Sequence, residues 1–410
     1  MPSALSLRVF LAAAAILWSA GRLAAQSATA PIDWPQWRGA ARDGRVPSLP
    51  RTMPSPKLVW KQPVAGACDA GIAVARGLVF VADHDEKNDY YRCLDAEKGT
   101  EIWSRSFPNA REMEYGPAPR ATPLVTQGTA ITQSAFGELY CFDLKTGKTV
   151  WQRDFIKDFG LPKWPTWGYS SSPLVAGGKL IVNPGGKTSL AALDPETGKL
   201  IWAGEGGRAN YSSFLVGTFG GVEQVVGHDA DSLGGWDLAT GKRLWSVAVE
   251  HGDNYIVPTP VNIGGKLFVC DQTNEAQLFQ FGKDGAIVET PVAKSEEIAP
   301  EVITPVLADG LIIGVTKKLV CLDAVNGLAT LWTESDTMFK KCDWHVILAK
   351  DVGLAMSNYG EMAMFSFDRQ GVKMLGKTKL CKRTLMHPTL VGSRLFVRDA
   401  ESLYCYDLGS

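Results

Sequence analysis

The chain has 410 residues, 45% hydrophobic and 21% charged, with a formal net charge of −1. That length allows one large or two ordinary domains with a sizeable buried core. The near-neutral balance gives no electrostatic footprint for nucleic acid and no polybasic patch for a membrane surface, so neither is expected as a partner.

Residues 1–25 read as a secretory signal. Arg8 supplies positive charge, Val9 to Ala20 a short apolar core, and Leu23-Ala24-Ala25 small residues for cleavage before Gln26. The apolar core is about twelve residues, against roughly 20 for a spanning helix; an uncleaved anchor is the alternative. No cysteine precedes Cys68, which argues against a lipid-modified cysteine at the cleavage site. No other window could span a membrane. The mature chain is expected to be periplasmic or secreted, with an N-terminal extension over 26–56 and the main fold over 57–410.

A repeat then organises the chain. YRCLDAEKGTEIWS (91–104) is followed by LYCFDLKTGKTVWQ (139–152), LAALDPETGKLIWA (190–203), LGGWDLATGKRLWS (233–246) and LVCLDAVNGLATLWT (319–333). LFQFGKDGAIVE (278–289) and MFSFDRQGVKML (364–375) are degenerate copies, and LYCYDLGS (403–410) is half a copy. Eight units about 40 to 51 residues apart signal a propeller or a solenoid. Each unit also carries two earlier short strands. In the third, SSPLV (171–175) and KLIVN (179–183) flank a Gly-Gly turn, which predicts a four-stranded antiparallel blade with strands A to D. Asp194 begins the C–D turn, where its carboxylate can accept backbone N–H bonds, and Gly198 supplies the positive φ.

Trp103, Trp151, Trp202, Trp245 and Trp332 close the good copies and are expected to pack on the neighbouring blade. The last unit lacks strand D, and KLVWKQP (57–63) offers one with Trp60. Pairing the two ends would close an all-β, eight-bladed ring and remove an exposed edge.

Eight cysteines in an exported chain invite a disulfide framework. Yet Cys93, Cys141, Cys321 and Cys405 each lie two residues before the motif aspartate, a place that Ala192 and Gly235 take in other copies. A site shared by Cys, Ala and Gly wants a small buried side chain. Of Cys68, Cys270, Cys342 and Cys381, the pair to look for as a disulfide is Cys342–Cys381.

The A-x-D-x-x-T-G-K-x-x-W pattern resembles the pyrroloquinoline-quinone (PQQ) repeat of eight-bladed propellers, and ALDPETGKLIW matches it almost fully. DWPQWRGAARDGRVP (33–47) resembles the N-terminal segment of exported bacterial PQQ-like proteins. The resemblance covers roughly residues 33 to 410. It implies the propeller fold but leaves function open, because the superfamily holds quinoprotein dehydrogenases as well as cofactor-free scaffolds of outer-membrane assembly. It also implies that any quinone or substrate site lies on the crossover side, around the central channel.

In such a blade the A–B and C–D turns share one face, and the B–C turns and D–A crossovers share the other. Aligning the blades on strand A puts Asp69, Arg120, Tyr169, Ser170, Tyr211, Tyr255, Glu301, Trp344, His345, Arg383 and His387 at the crossover mouth. The B–C turns add Asp83, Asp85, Asp229, Asp231, Glu275 and Asn358. In the crossover KWPTWGYSSSP (163–173), Trp164 and Trp167 could stack on a planar ligand or simply lid the mouth. His345 and His387 stand in equivalent places near Cys342 and Cys381, but the spacing matches no metal-ligand motif. DHDEKND (83–89) lacks the glycine and terminal glutamate of a calcium loop. No metal site is expected.

The enzyme reading implies three further features: a vicinal Cys-Cys pair, a haem-attachment C-x-x-C-H in fused forms, and an acid–amide set holding calcium against the quinone. The first two are absent, and the third cannot be matched residue by residue. The leading expectation is an exported, non-enzymatic, cofactor-free propeller that binds an envelope protein or peptide. The alternative is a reduced PQQ-dependent alcohol or sugar dehydrogenase using PQQ with calcium. A third reading is a module for surface carbohydrate.

Overall fold

The computed structural model describes residues 33–249 and 255–409; the signal assigned to residues 1–25 lies outside them. Eight four-stranded antiparallel sheets form the eight blades of an all-β propeller. Blade 3 shows the plan: Leu174–Ala176, Lys179–Val182, Thr188–Leu193 and Leu200–Glu205 pair in chain order. In blade 8, Thr389–Val391, Arg394–Arg398 and Ser402–Asp407 are joined by Lys57–Pro63 as the outermost strand. Among the described residues no helix is long and apolar enough to cross a membrane.

The core lies between blades rather than within them. Each of eight apolar clusters joins two neighbours, as where Phe80, Tyr91 and Trp103 of blade 1 meet Tyr140 and Phe142 of blade 2. The repeat motif makes these joints. Trp103 donates its indole N–H to Leu144 O at 3.0 Å, Trp151 to Pro195 O at 3.1 Å, and Trp202 to Leu238 O at 3.2 Å. Trp60 reaches Ala96 O of blade 1 in the same way, at 3.0 Å. Each ring therefore docks on the C–D turn of the next blade. The turn glycine makes room for it: at Gly147 (φ +65°) an added Cβ would lie 2.4 Å from Trp103. The turn itself is set by the aspartate, whose Oδ1 accepts from the backbone of Thr146, Thr197 and Thr240 at 2.8 Å in blades 2 to 4.

Strand register explains the small residue. Cys93, Cys141, Ala192, Gly235 and Cys321 lie directly opposite Trp103, Trp151, Trp202, Trp245 and Trp332. At Gly235 a Cβ would meet Trp245 at 2.2 Å. Burial pushes the Cys93, Cys321 and Cys405 thiols up to about 12 and Cys141 to about 11, so these are packing groups and not nucleophiles. Just before each tryptophan the pairing slips by one residue. The bulged side chains, Ile102, Val150 and Ile201, face solvent at 47–49% exposure.

Three details go beyond the repeat pattern. No disulfide joins Cys342 and Cys381: Cys342 Sγ donates to Met338 O at 3.1 Å, and Cys381 is buried in the cluster between blades 7 and 8. In blade 5 the motif copy at 278–289 does not supply strand D. Phe281 and Ile287 form a local bridge, and the outer strand is Ala293–Ser295. Without the Asp-Thr-Gly turn in blade 5, Trp245 bonds Gln224 Oε1 of its own blade instead, at 2.7 Å.

From Asp33 onward the extension is part of the fold. Trp34 bridges to Val74 of blade 1 and is 3% exposed, and Arg45 bridges to Leu348 of blade 7. Between them Arg42 donates to Ser172 O and Pro173 O of blade 3, and Arg38 to Pro305 O of blade 6. The segment thus crosses the central channel at the level of the inner strands.

Candidate functional site

The inner strands begin with a repeated hydroxyl: Thr122, Ser172, Ser213, Thr259 and Thr304, mostly followed by proline. Each passes its backbone N–H to the side-chain oxygen of the next. Thr122 N bonds Ser172 Oγ (3.0 Å), Ser172 N bonds Ser213 Oγ (3.0 Å), Ser213 N bonds Thr259 Oγ1 (3.1 Å) and Thr259 N bonds Thr304 Oγ1 (2.9 Å). This arc fixes blades 2 to 6 around the channel. The recurring [ST]-P-[LV] signature carried the signal, overshadowed by the louder tryptophan motif.

Above the arc lies a cavity of about 460 Å³, within the range of ligand pockets. Its floor includes Trp37 and Arg38 of the N-terminal segment, two residues that blade alignment could not place there. Most of the mouth residues expected from sequence line it: Asp69, Arg120, Trp167, Ser170, Tyr211, Tyr255, Glu301, His345, Arg383 and His387, with Asn358 from a B–C turn. Tyr115 and Asp343 join them without having been foreseen.

Three expected members do not face this cavity. Trp344 is fully buried between blades 6 and 7, its Nε1 donating to Met338 O, because strand A of blade 7 starts at that residue and turns the ring into the blade. Tyr169 is 2% exposed and donates to Pro184 O at 2.8 Å. Trp164 packs edge-on against Phe136 at 4.8 Å and lines a neighbouring groove of about 350 Å³. The B–C acids are also spent internally. Asp83 and Asp229 are wholly buried against arginines, Asp85 accepts from Lys87 N, Asn88 N and Tyr90 Oη, and Asp231 pairs with Arg208. Glu275 begins strand C of blade 5 at φ +63°.

Three arginines and three acids share the cavity wall, and each acid is held by a neighbouring side chain. Arg120 Nη1 is 3.5 Å from Asp69 Oδ2, and its Nε donates to Trp167 O at 2.7 Å. Tyr255 Oη donates to Glu301, and Asn358 donates to Asp343 at 3.1 Å. Desolvation holds the Asp69 and Asp343 carboxyls above their usual range. At the rim Trp167 stands edge-on to Tyr255 (4.9 Å) and tilted to Tyr211 (5.4 Å), with Tyr115 77% exposed beside it. Among the described residues no three His, Cys, Asp or Glu side chains gather to hold a metal ion, and no cysteine lines the cavity.

His228, on the edge of blade 4, is 5% exposed, and burial lowers its pKa to about 4 against the pull of Asp271 and Asp229. The unfolded chain therefore binds the proton first, near pH 6.5, while the fold refuses it until about pH 4. Stability from this group is present above pH 6.5 and is lost as pH falls from there toward 4. Urea midpoints measured between pH 7.5 and 4.5 should fall less steeply in His228→Gln than in the wild type; parallel slopes would contradict the assignment.

Fold and repeat together define a PQQ-repeat propeller. A family model described as outer membrane protein assembly factor BamB matches residues 42–113 and 94–334, and the chain belongs to this family. BamB of Shewanella oneidensis is 25% identical over 324 residues, 73% of this chain and 76% of the relative. Lupanine 17-hydroxylase (cytochrome c) of a Pseudomonas species is 25% identical over 196 residues, 45% of this chain; the match spans only 28% of that protein's length. Quinohemoprotein alcohol dehydrogenase from Comamonas testosteroni superposes with a TM-score of 0.67 at 14% identity, over 92% of this chain and 81% of that one. That likeness is one of fold.

Proposed function

We propose that this is an exported, non-enzymatic propeller that holds an envelope protein or peptide at its crossover face. The observation that carries the reading is the state of the cavity's polar groups. Its acids are bound to Arg120, Tyr255 and Asn358 rather than converging on one point, while Tyr115 stands exposed at the rim beside half-buried Trp167, Tyr211 and Tyr255. Acids held separately under an aromatic rim suit recognition of a surface more than bond-making chemistry. Similarity to BamB, an outer membrane protein assembly factor by name, supports an envelope partner.

The test is cross-linking and pull-down from the envelope of the exporting cell with the mature chain, Trp167→Ala and Arg383→Glu. A partner held at this face should be recovered at least tenfold less with either variant, the usual loss for a central interface residue. Undiminished recovery by both would place the partner elsewhere.

The quinoprotein dehydrogenase reading stands second, favoured by the size of the cavity and the shared fold. The lining residues do not fit the calcium–quinone set, since no vicinal thiols border the cavity and its acids do not converge. Saturable absorbance changes on adding PQQ with calcium, together with dye reduction by an alcohol or sugar, would reverse this ranking.

A further inference from the structure

The cavity floor holds a cation that no carboxylate among the described residues touches, the nearby Asp43 charge acting on it only at longer range. Arg38 is 2% exposed, and both of its hydrogen bonds leave from Nη2, to Pro305 O at 2.8 Å and Asp43 O at 3.2 Å. Its Nε is buried with no acceptor, and it forms no ion pair with a carboxylate among the described residues. The Trp37 ring, 5.2 Å away, offsets part of the charge. A buried guanidinium nevertheless ordinarily sits against an anion.

Two imidazoles complete the floor, His345 and His387, with ring centroids 5.2 Å apart. His387 Nδ1–H donates to Pro388 O at 2.7 Å, and His345 Nε2–H donates to Leu385 O at 3.0 Å. A carbonyl only accepts, so the other nitrogen of each neutral ring presents a lone pair. His387 Nε2 is buried and makes no hydrogen bond of normal geometry, although the Val346 backbone lies close enough to act on the ring. Desolvation, with a contribution from the Arg38 charge, lowers His345 to about 4 and His387 well below its usual range, so both rings stay neutral at pH 7. The floor therefore offers a cation and, beside it, an acceptor.

We infer that the floor of the central cavity binds a carboxylate whose neighbouring atom carries a hydrogen-bond donor, with the carboxylate on Arg38 and the donor on His387 Nε2. A 2-hydroxy acid, an amino acid and the C-terminal residue of a peptide share this chemistry. The aromatic wall of Trp167, Tyr211 and Tyr255 above favours an apolar or aromatic body. This site does not depend on the scaffold reading: a propeller whose partner docks elsewhere would still bind the acid.

Calorimetric titration of the mature chain tests it. The probes are phenyllactate, phenylacetate (no donor), phenyllactamide (no carboxylate), and a short peptide ending in phenylalanine with a free or an amidated terminus. Phenyllactate or the free-acid peptide should bind saturably, and whichever binds more tightly identifies the source. Replacing the carboxylate by an amide should weaken binding roughly tenfold or more, the range for a charged hydrogen bond. Arg38→Met should do the same, and His387→Phe should erase the difference between phenyllactate and phenylacetate. If Arg38→Met fails to fold, the acid-to-amide comparison on the wild type decides. Equal binding of acid and amide, or no saturation by any probe at millimolar concentration, overturns the proposal.

Discussion

Arg398→Leu is expected to destabilise the propeller by about 3–5 kcal/mol, the usual result of removing one partner from a buried ion pair. Arg398 is 1% exposed and lies where blade 8 meets blade 1. Its guanidinium donates to the carbonyls of Ala82 and Gly66, and Nη2 sits 2.9 Å from Asp83 Oδ1. Asp83 is wholly buried; its other oxygen accepts from Arg92 at 3.0 Å. Removing Arg398 leaves a half-paired carboxylate and two unsatisfied carbonyls at the seam that closes the ring. Asp83→Asn keeps the shape but turns one accepting oxygen into a donor facing an arginine N–H, so it too should destabilise the seam. The joint replacement Asp83→Leu with Arg398→Met should recover part of the loss, because neither member of the pair is then left buried alone and Arg92 keeps Glu101 as its partner at 2.7 Å. Urea unfolding of the four proteins checks this; if Arg398→Leu matched an exposed control such as Lys373→Ala, the seam would not depend on the pair.

Trp103→Ala should cost about 3–5 kcal/mol, as for other buried aromatics. The ring is 7% exposed, bonds Leu144 O, and lies against Phe80 and Phe142 at 5.8 and 5.7 Å. Trp245→Ala should cost less, because its indole bonds within its own blade and blade 5 offers no Asp-Thr-Gly socket. Equal losses in thermal or urea unfolding would show that the bond to the next C–D turn adds nothing beyond ring packing, which Trp245 also makes on Phe281 of blade 5 at 5.6 Å.

The architecture was legible because it is written eight times. Asp143, Gly147 and Trp151 each serve contacts whose spacing the chain fixes locally, so repetition exposed them. The mouth was partly legible for the same reason: alignment on strand A fixed which residues enter the channel, and Asp69, Arg120, Trp167 and His387 do line it. It failed at Trp344, where one step along a strand turns a side chain from channel to core, and at Tyr169, a loop residue whose hydroxyl is drawn to Pro184 O. It was silent on Trp37 and Arg38, which repeat nothing and reach the cavity only because a preceding segment crosses the ring.

By itself, the sequence determined the strand count, the blade plan and the docking tryptophans, all of which follow from local alternation and turn chemistry. Only the tertiary structure decided which charges are buried and which groups share the cavity. Those depend on contacts such as Arg38 to Pro305 and Arg398 to Ala82, between residues hundreds of positions apart. Local propensity carries no record of such pairs. They exist once the ring has closed.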